Sequence, residues 1–315
     1  MIRILHVDTN HPSLVEGLDN LGFENTINTT ASKEDIQKDI RLFHGLVIRS
    51  RFTIDRHFLN KAKNLRFIAR VGSGLENIDV KTAKKLGIAV LAAPEGNSPA
   101  VGEHALGMLL SLFNKISKAD VEVRKGIWQR EANRGEALDG KTIGIIGYGH
   151  TGKQFAKKLS GFDVKVICHD IIPNISDSFA QQVSLDTLQE KADVVSLHLP
   201  LDNTTQDYVD TTFISKMKKP FWLINTARGN QVVLSSVVIG LKNGTIKGAC
   251  FDVLEMETTA FEAAFSASGA WNYLSKHNNV VLTPHVAGWT VQSQIQLSEV
   301  ILKKIKQFHN EGYLK

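Results

Sequence analysis

The chain has 315 residues, 43% of them hydrophobic and 22% charged, enough apolar content for about two ordinary folded cores and too much for a disordered chain. Its formal charge of +5 is spread thinly, with no long Lys/Arg run, zinc-finger spacing or basic helix bearing stacking aromatics. This excludes nucleic acid as the main partner and suits small anionic ligands. No apolar stretch approaches the ~20 residues of a membrane span, and the N-terminus MIRILHVDTN is too short and polar to read as a signal peptide, so no membrane association is expected and a cytoplasmic location is the default.

In chain order, short apolar runs at 2–7, 45–48, 65–69 and 88–91 read as strands, with amphipathic stretches between them at 12–21, 55–62 and 79–86. Buried runs alternating with helices predict a parallel sheet with crossover helices. The cluster at 94–99, PEGNSP, reads as a turn. A long helix is predicted over about 100–125, with Ser98 as N-cap and Pro99 at its first position. A second series of strands follows at 142–146, 164–169, 194–197, 221–225, 248–252 and 280–282; Pro284 ends the pattern and a helix is expected over 290–309. Cys168 and Cys250 fall inside apolar runs and read as buried, reduced thiols. No metal-ligand spacing is present.

The segment Gly147-x-Gly149-x-x-Gly152 follows an apolar strand and opens a helix containing Phe155, Ala156 and Leu159. In that context Gly147 permits a tight turn, Gly149 lets backbone approach a pyrophosphate and Gly152 lets helix pack on strand. Unpaired N–H groups at the helix start would receive the phosphate. Asp170, at the end of the next strand, is placed to accept adenosine ribose hydroxyls. Ile171 and Ile172 follow it, with no cation for a 2′-phosphate, so the pattern favours NAD over NADP.

Three ionisable residues follow predicted strands of this second series: Arg228 in Asn225-Thr-Ala-Arg-Gly229, Glu257 in Asp252-Val-Leu-Glu-Met-Glu257, and His285 in Thr283-Pro-His285. Ligands of doubly wound sheets bind outside the carboxyl ends of the strands. Oxidising a 2-hydroxy acid needs a cation for the carboxylate, a base for the hydroxyl proton and an orienting group for the base. Arg, His and Glu fit those parts. Each also has an ordinary reading: a surface Arg, a solvated Glu with Glu255 as competitor, and a structural His among eleven.

The chain resembles the D-isomer-specific 2-hydroxyacid dehydrogenase family along nearly its whole length. The collinear matches are Arg49-Ser-Arg51, Arg70–Asp79, Gly102-Glu-His104, Gly144–Gly152, Ser196-Leu-His-Leu-Pro200, Asn225–Gly229, Asp252–Glu257 and Thr283–Gly288. The resemblance implies an α/β fold of two doubly wound parallel-sheet domains. A flavodoxin-like substrate domain would comprise 1–98 and 284–315, and a Rossmann NAD-binding domain 99–283. It implies Arg228, Glu257 and His285 as the catalytic set. Cofactor contacts would come from Gly147, Gly149, His150, Thr151, Gly152, Asp170, His198, Pro200, Thr226, Ala227 and Asp252. Arg49, Ser50 and the backbone of Val71, Gly72, Ser73 and Gly74 would meet the substrate. A homodimer through the long helix and the Trp128 segment is also implied.

Within the family the chain is most similar to the dehydrogenases of D-3-phosphoglycerate that open serine biosynthesis, in a short form ending soon after the last helix. Arg49, Arg51, Arg70 and Arg130 are then the candidates for phosphate. Trp289, four residues past His285 where smaller residues are common in the family, is the departure expected to reshape the pocket wall. The other expectations are a glyoxylate/hydroxypyruvate reductase, a D-lactate-type dehydrogenase, or an NAD-responsive binding protein without turnover.

Overall fold

The structure is a computed structural model that describes residues 1–257 and 269–314. The chain divides into two compact units. The first holds Met1–Asn97 and the chain from Trp289 onward; the second holds the described residues from Ser98 to Gly288.

The first unit contains β1 (Arg3–His6), α1 (Pro12–Asp19), β2 (Glu24–Ile27), α2 (Lys33–Asp39), β3 (Gly45–Ile48), α3 (Arg56–Lys61), β4 (Phe67–Arg70), α4 (Val80–Lys85) and β5 (Ala89–Ala92). Its five-stranded sheet, β2-β1-β3-β4-β5, is parallel throughout. Side chains of α2, α3 and α4 cover one face, with Ile36, Phe58, Leu59 and Ala83 buried. Leu14 and Leu18 of α1 pack with the C-terminal helix over Val47, Phe67 and Ala69.

The second unit begins with α5 (Pro94–Phe113), which straddles the division, and α6 (Ile116–Arg124). It continues with β6 (Thr142–Ile146), α7 (His150–Leu159), β7 (Lys165–His169), β8 (Gln181–Gln182), α8 (Leu185–Lys191), β9 (Val194–Leu197), α9 (Thr211–Lys216), β10 (Phe221–Asn225), α10 (Leu234–Asn243), β11 (Ile246–Phe251), α11 (Gly269–Leu274) and β12 (Val280–Leu282). Its parallel sheet runs β12-β11-β10-β9-β6-β7-β8. Met108, Leu109 and Phe155 pack into one core and Leu188, Phe213 and Val237 into another, so this sheet too is wound on both faces. The last helix, α12 (Val291–Asn310), belongs to the first unit. No described helix is long and apolar enough to cross a membrane.

Three expectations need correction. The helix predicted over 100–125 starts at Pro94 and ends at Phe113, with a second helix from Ile116. Pro99 sits in its second turn, where the missing N–H removes a single helical hydrogen bond, and Lys115 in the left-handed region (φ 53°) breaks the run. Ser98 is therefore inside a helix rather than its N-cap, and the cluster at 94–99, expected as a turn, forms the first turns of that helix. In this division the chain rejoins the first unit at Trp289. The reason is local: the buried Asp252 carboxylate accepts hydrogen bonds from Thr283 Oγ1 (2.5 Å), Val286 N (2.9 Å) and Ala287 N (2.8 Å), tying that segment to β11.

Candidate active site

Strand order in the second sheet reverses between β6 and β9, the switch point outside which ligands of such sheets bind. Gly147 follows β6 with φ +87°, and a Cβ there would lie 2.6 Å from the His198 carbonyl oxygen after β9. A Cβ on Gly152 would lie 2.2 Å from the Gly147 carbonyl oxygen. Both positions thus require glycine for the fold itself. Gly149 differs: nothing lies within 4 Å of a Cβ built on it. It is the N-cap of α7 and offers no side-chain hydrogen bond, whereas α2, α3, α4, α8, α9 and α12 are each capped by a Ser, Thr or Asp oxygen. The N–H groups of the exposed His150 and half-buried Thr151 are left for an anion, as a pyrophosphate site needs.

Asp170 lies just past β7. Its Oδ2 accepts from Tyr148 N (2.7 Å) and its Oδ1 from Ile172 N (2.9 Å). A carboxylate has about four acceptor positions, so capacity remains for ribose hydroxyls. Ile171 and Ile172 are exposed and bring no cation. Tyr148 Oη donates to Asp177 (2.8 Å), tethering the loop after β7, a role the motif spacing alone does not signal. Two buried polar atoms near the strand ends lack partners among the described residues: His198 Nδ1 and Thr226 Oγ1. Burial lowers the His198 pKa to about 3, and its Nε2 pairs with Ser196 Oγ (2.9 Å), so the ring is neutral with one nitrogen left for a ligand. These features fit a dinucleotide. Pro200 is exposed and its carbonyl serves Thr205 and Gln231; Ala227 is buried, with its N–H on Asn225 Oδ1.

The three ionisable residues follow three adjacent strands: Arg228 after β10, Glu257 after β11 and His285 after β12. The β10 and β11 loops close tightly, because a Cβ on Gly229 would fall 2.0 Å from the Leu254 carbonyl carbon. Glu257 Oε1 accepts from Leu254 N (2.5 Å), and its Oε2 meets His285 Nδ1 at 2.6 Å. His285 itself has φ 54°, and its backbone N–H is held by the Asp252 carbonyl (2.7 Å). Arg228 Nη1 donates to the Ala227 carbonyl (2.7 Å), and the Arg228 carbonyl accepts from Asn225 Nδ2 (2.9 Å). Asp252, expected as a cofactor contact, is 1% exposed and engaged by the 283–287 segment, with His104 Nε2 3.5 Å away. Its part in this structure is to hold the His285 loop.

In the first sheet the order reverses between β1 and β3, and Asp8 and Arg49 stand just beyond those strands. Asp8 Oδ2 accepts from Arg49 N at 2.6 Å. Ser50 is half-buried beside it. Val71, Gly72, Ser73 and Gly74 follow β4; Ser73 Oγ donates to Asn97 Oδ1 (2.5 Å). Arg70 is buried under this loop, its Nη1 donating to the Val71 carbonyl and lying where a Gly72 Cβ would fall. Arg51 is removed from the phosphate candidates: its Nη1 donates to the carbonyls of Val7 and Asn28 (both 2.9 Å) and its Nη2 to that of Ala31 (2.5 Å). Arg130 is exposed in the second unit. Cys168 and Cys250 are buried and unpaired, with burial pushing the Cys168 thiol up to about 11. No group of metal-ligating side chains occurs among the described residues.

Comparison with known proteins agrees with this geometry. The family profile described as "D-isomer specific 2-hydroxyacid dehydrogenase, NAD binding domain" matches residues 106–287. The hydroxypyruvate reductase of Thermotoga maritima is 35% identical over 277 residues, covering 87% of this chain and 88% of that protein. The D-3-phosphoglycerate dehydrogenase of Archaeoglobus fulgidus is 33% identical over 289 residues, covering 90% of this chain but 53% of that protein, so the chain spans about half its length. Among solved structures, a D-2-hydroxyisocaproate dehydrogenase superposes with a TM-score of 0.84 at 25% identity, over 99% of this chain and 98% of that one.

Proposed function

Because this chain belongs to the NAD-dependent D-isomer-specific 2-hydroxyacid dehydrogenases, we propose that it interconverts D-3-phosphoglycerate and 3-phosphohydroxypyruvate, the oxidation that opens serine biosynthesis, in the cytoplasm. The observation that carries the chemistry is the His285–Glu257 pair at 2.6 Å, on the unit that bears the uncapped glycine loop. The observation that favours a phosphorylated substrate is Arg49 at the switch point of the first sheet, with most of its guanidinium donors uncommitted to oxygens of the described residues.

NAD(H), when bound through Gly147–Gly152, Asp170, His198 and Thr226, supplies or accepts the hydride at the substrate's C2. Arg228 holds the substrate carboxylate by paired N–H donors and polarises the C2 oxygen. In reduction, His285 Nε2 delivers a proton to that oxygen and the ring ends neutral; in oxidation the same nitrogen takes the hydroxyl proton. Glu257 on Nδ1 fixes the tautomer and stabilises the imidazolium. The backbone of Val71–Gly74 supports the carboxylate, and Arg49 receives the phosphate.

A second reading, reduction of hydroxypyruvate or glyoxylate, draws on the loss of Arg51 as a phosphate ligand and on the 35% identity to the Thermotoga hydroxypyruvate reductase. NADH absorbance separates the two. A charge-assisted contact to phosphate is worth about 1.5–3 kcal/mol, so kcat/KM for 3-phosphohydroxypyruvate should exceed that for hydroxypyruvate by roughly 10- to 150-fold. Equal or reversed values move the substrate to the unphosphorylated acid while keeping the catalytic set.

We also infer a homodimer. The α6 segment exposes Ile116, Val121, Val123, Ile127 and Trp128, the last 77% exposed, more apolar surface than a monomer needs to show. Light scattering should give about twice the 34.8 kDa chain mass, and Trp128→Asp should shift it toward that mass. A monomeric wild type would refute the assignment.

A further inference from the structure

Arg49 and Arg51 are two residues apart and chemically identical, yet the structure uses them differently. Arg51 gives its guanidinium to three backbone carbonyls. Arg49 has its backbone anchored instead: its N–H donates to Asp8 Oδ2 (2.6 Å), and its carbonyl accepts from Asn77 Nδ2 (3.2 Å). Among the described residues its guanidinium makes one contact to oxygen, Nη1 to the Thr9 carbonyl at 3.3 Å. What steers it is an aromatic face. The Arg49 Cζ lies 4.1 Å from the ring centroid of Trp289, well inside the ~6 Å range of cation–π attraction.

We propose that Trp289 is a positioning residue that holds the Arg49 guanidinium open for the substrate's distal anionic group, so that this pair discriminates phosphorylated from unphosphorylated 2-oxo acids; the proposal rests on the substrate reading above. Contact with a ring face orients a guanidinium without consuming its N–H donors, which lie in its plane. A carboxylate partner would also orient it but would compete with a phosphate for those donors. Asp8, the carboxylate whose charge acts on Arg49, is turned to the backbone N–H groups of Arg49 and Arg51. The backbone that carries the indole is anchored. Trp289 directly precedes Thr290, the N-cap of α12, whose capping box with Ser293 sets the direction of the chain there. Trp289 remains 50% exposed, so its removal leaves no large buried cavity.

The test is steady-state kinetics with NADH on wild type, Trp289→Ala, Trp289→Phe, Arg49→Ala and the double Ala variant, using 3-phosphohydroxypyruvate and hydroxypyruvate, with melting temperatures as a folding control. Loss of a partly desolvated cation–π contact should raise KM for the phosphorylated substrate about 3- to 30-fold, with a smaller change in kcat. Phenylalanine should recover part of the loss, and KM for hydroxypyruvate should change less than about twofold. Because Trp289 acts through Arg49, the double variant should be no worse than Arg49→Ala alone. An unchanged KM, an equal rise for both substrates, or additive losses in a wild type that does favour the phosphorylated acid would overturn this proposal alone. A wild type that turns over only hydroxypyruvate would overturn the substrate reading and the proposal together.

Discussion

Replacing His285 with Asn is expected to lower kcat about 10²- to 10⁴-fold, the usual worth of a positioned general acid–base group, while leaving NADH affinity within a few fold. The side chain stands after β12, its backbone N–H held by the Asp252 carbonyl and its Nδ1 by Glu257 Oε2 at 2.6 Å. Asn keeps a polar group of similar reach, and Asn is among the residues that tolerate the left-handed backbone seen there (φ 54°). The loss is therefore a loss of proton transfer rather than of fold. Glu257→Gln should cost less, roughly 10- to 100-fold, because the imidazole remains but its tautomer and charge are no longer fixed. Single-turnover rates of NADH oxidation with saturating 2-oxo acid give both numbers. A His285→Asn enzyme within tenfold of wild type would remove His285 from the proton path.

Gly149→Val and Gly152→Ala should fail in opposite ways. A Cβ on Gly149 meets nothing within 4 Å, so without nucleotide the valine variant should melt within about 2 °C of wild type, the usual effect of a surface change. Its side chain would stand over the uncapped start of α7, where the pyrophosphate is expected, and NADH affinity should drop at least about 100-fold. A Cβ on Gly152 would sit 2.2 Å from the Gly147 carbonyl oxygen, so α7 must shift off its strand. Overpacking of that kind costs about 1–3 kcal/mol, or roughly 3–10 °C in a domain of this size. Nucleotide titrations by NADH fluorescence, beside thermal melts, read both effects. Normal NADH binding by Gly149→Val would place the pyrophosphate elsewhere.

The central strands were legible because parallel strands buried on both faces read as unbroken apolar runs: β3, β6, β9 and β10 fall where the runs predict them. The edge strands β2 and β8 were not, since Glu24–Ile27 buries no residue and Gln181–Gln182 is two polar residues long. The helix break at Lys115 has no local breaker to announce it. The site divides along the same line. Gly147, Gly149, Gly152, Arg228, Glu257 and His285 stand at fixed places beside strands, so spacing locates them. The division of labour between Arg49 and Arg51 depends on carbonyls 20 to 44 residues away and on an indole some 240 residues along, and no window of sequence contains those partners. Asp252 likewise holds Thr283, Val286 and Ala287 through buried hydrogen bonds that its motif does not announce.

The return of α12 to the first unit also sets an order on synthesis. Leu297, Ile301 and Ile305 cover Leu14, Leu18 and Phe67, and the fit is close enough that a Cβ on Gly96 would touch the Leu297 backbone and one on Gly17 the Leu302 side chain. A ribosome delivers the strands of the first sheet about two hundred residues before the helix that seals them. The second unit, continuous in sequence, can close while the first still presents a bare apolar face. The part of the chain made earliest is thus the last to be finished, and its unsealed sheet is the surface on which a nascent chain most needs shelter from aggregation.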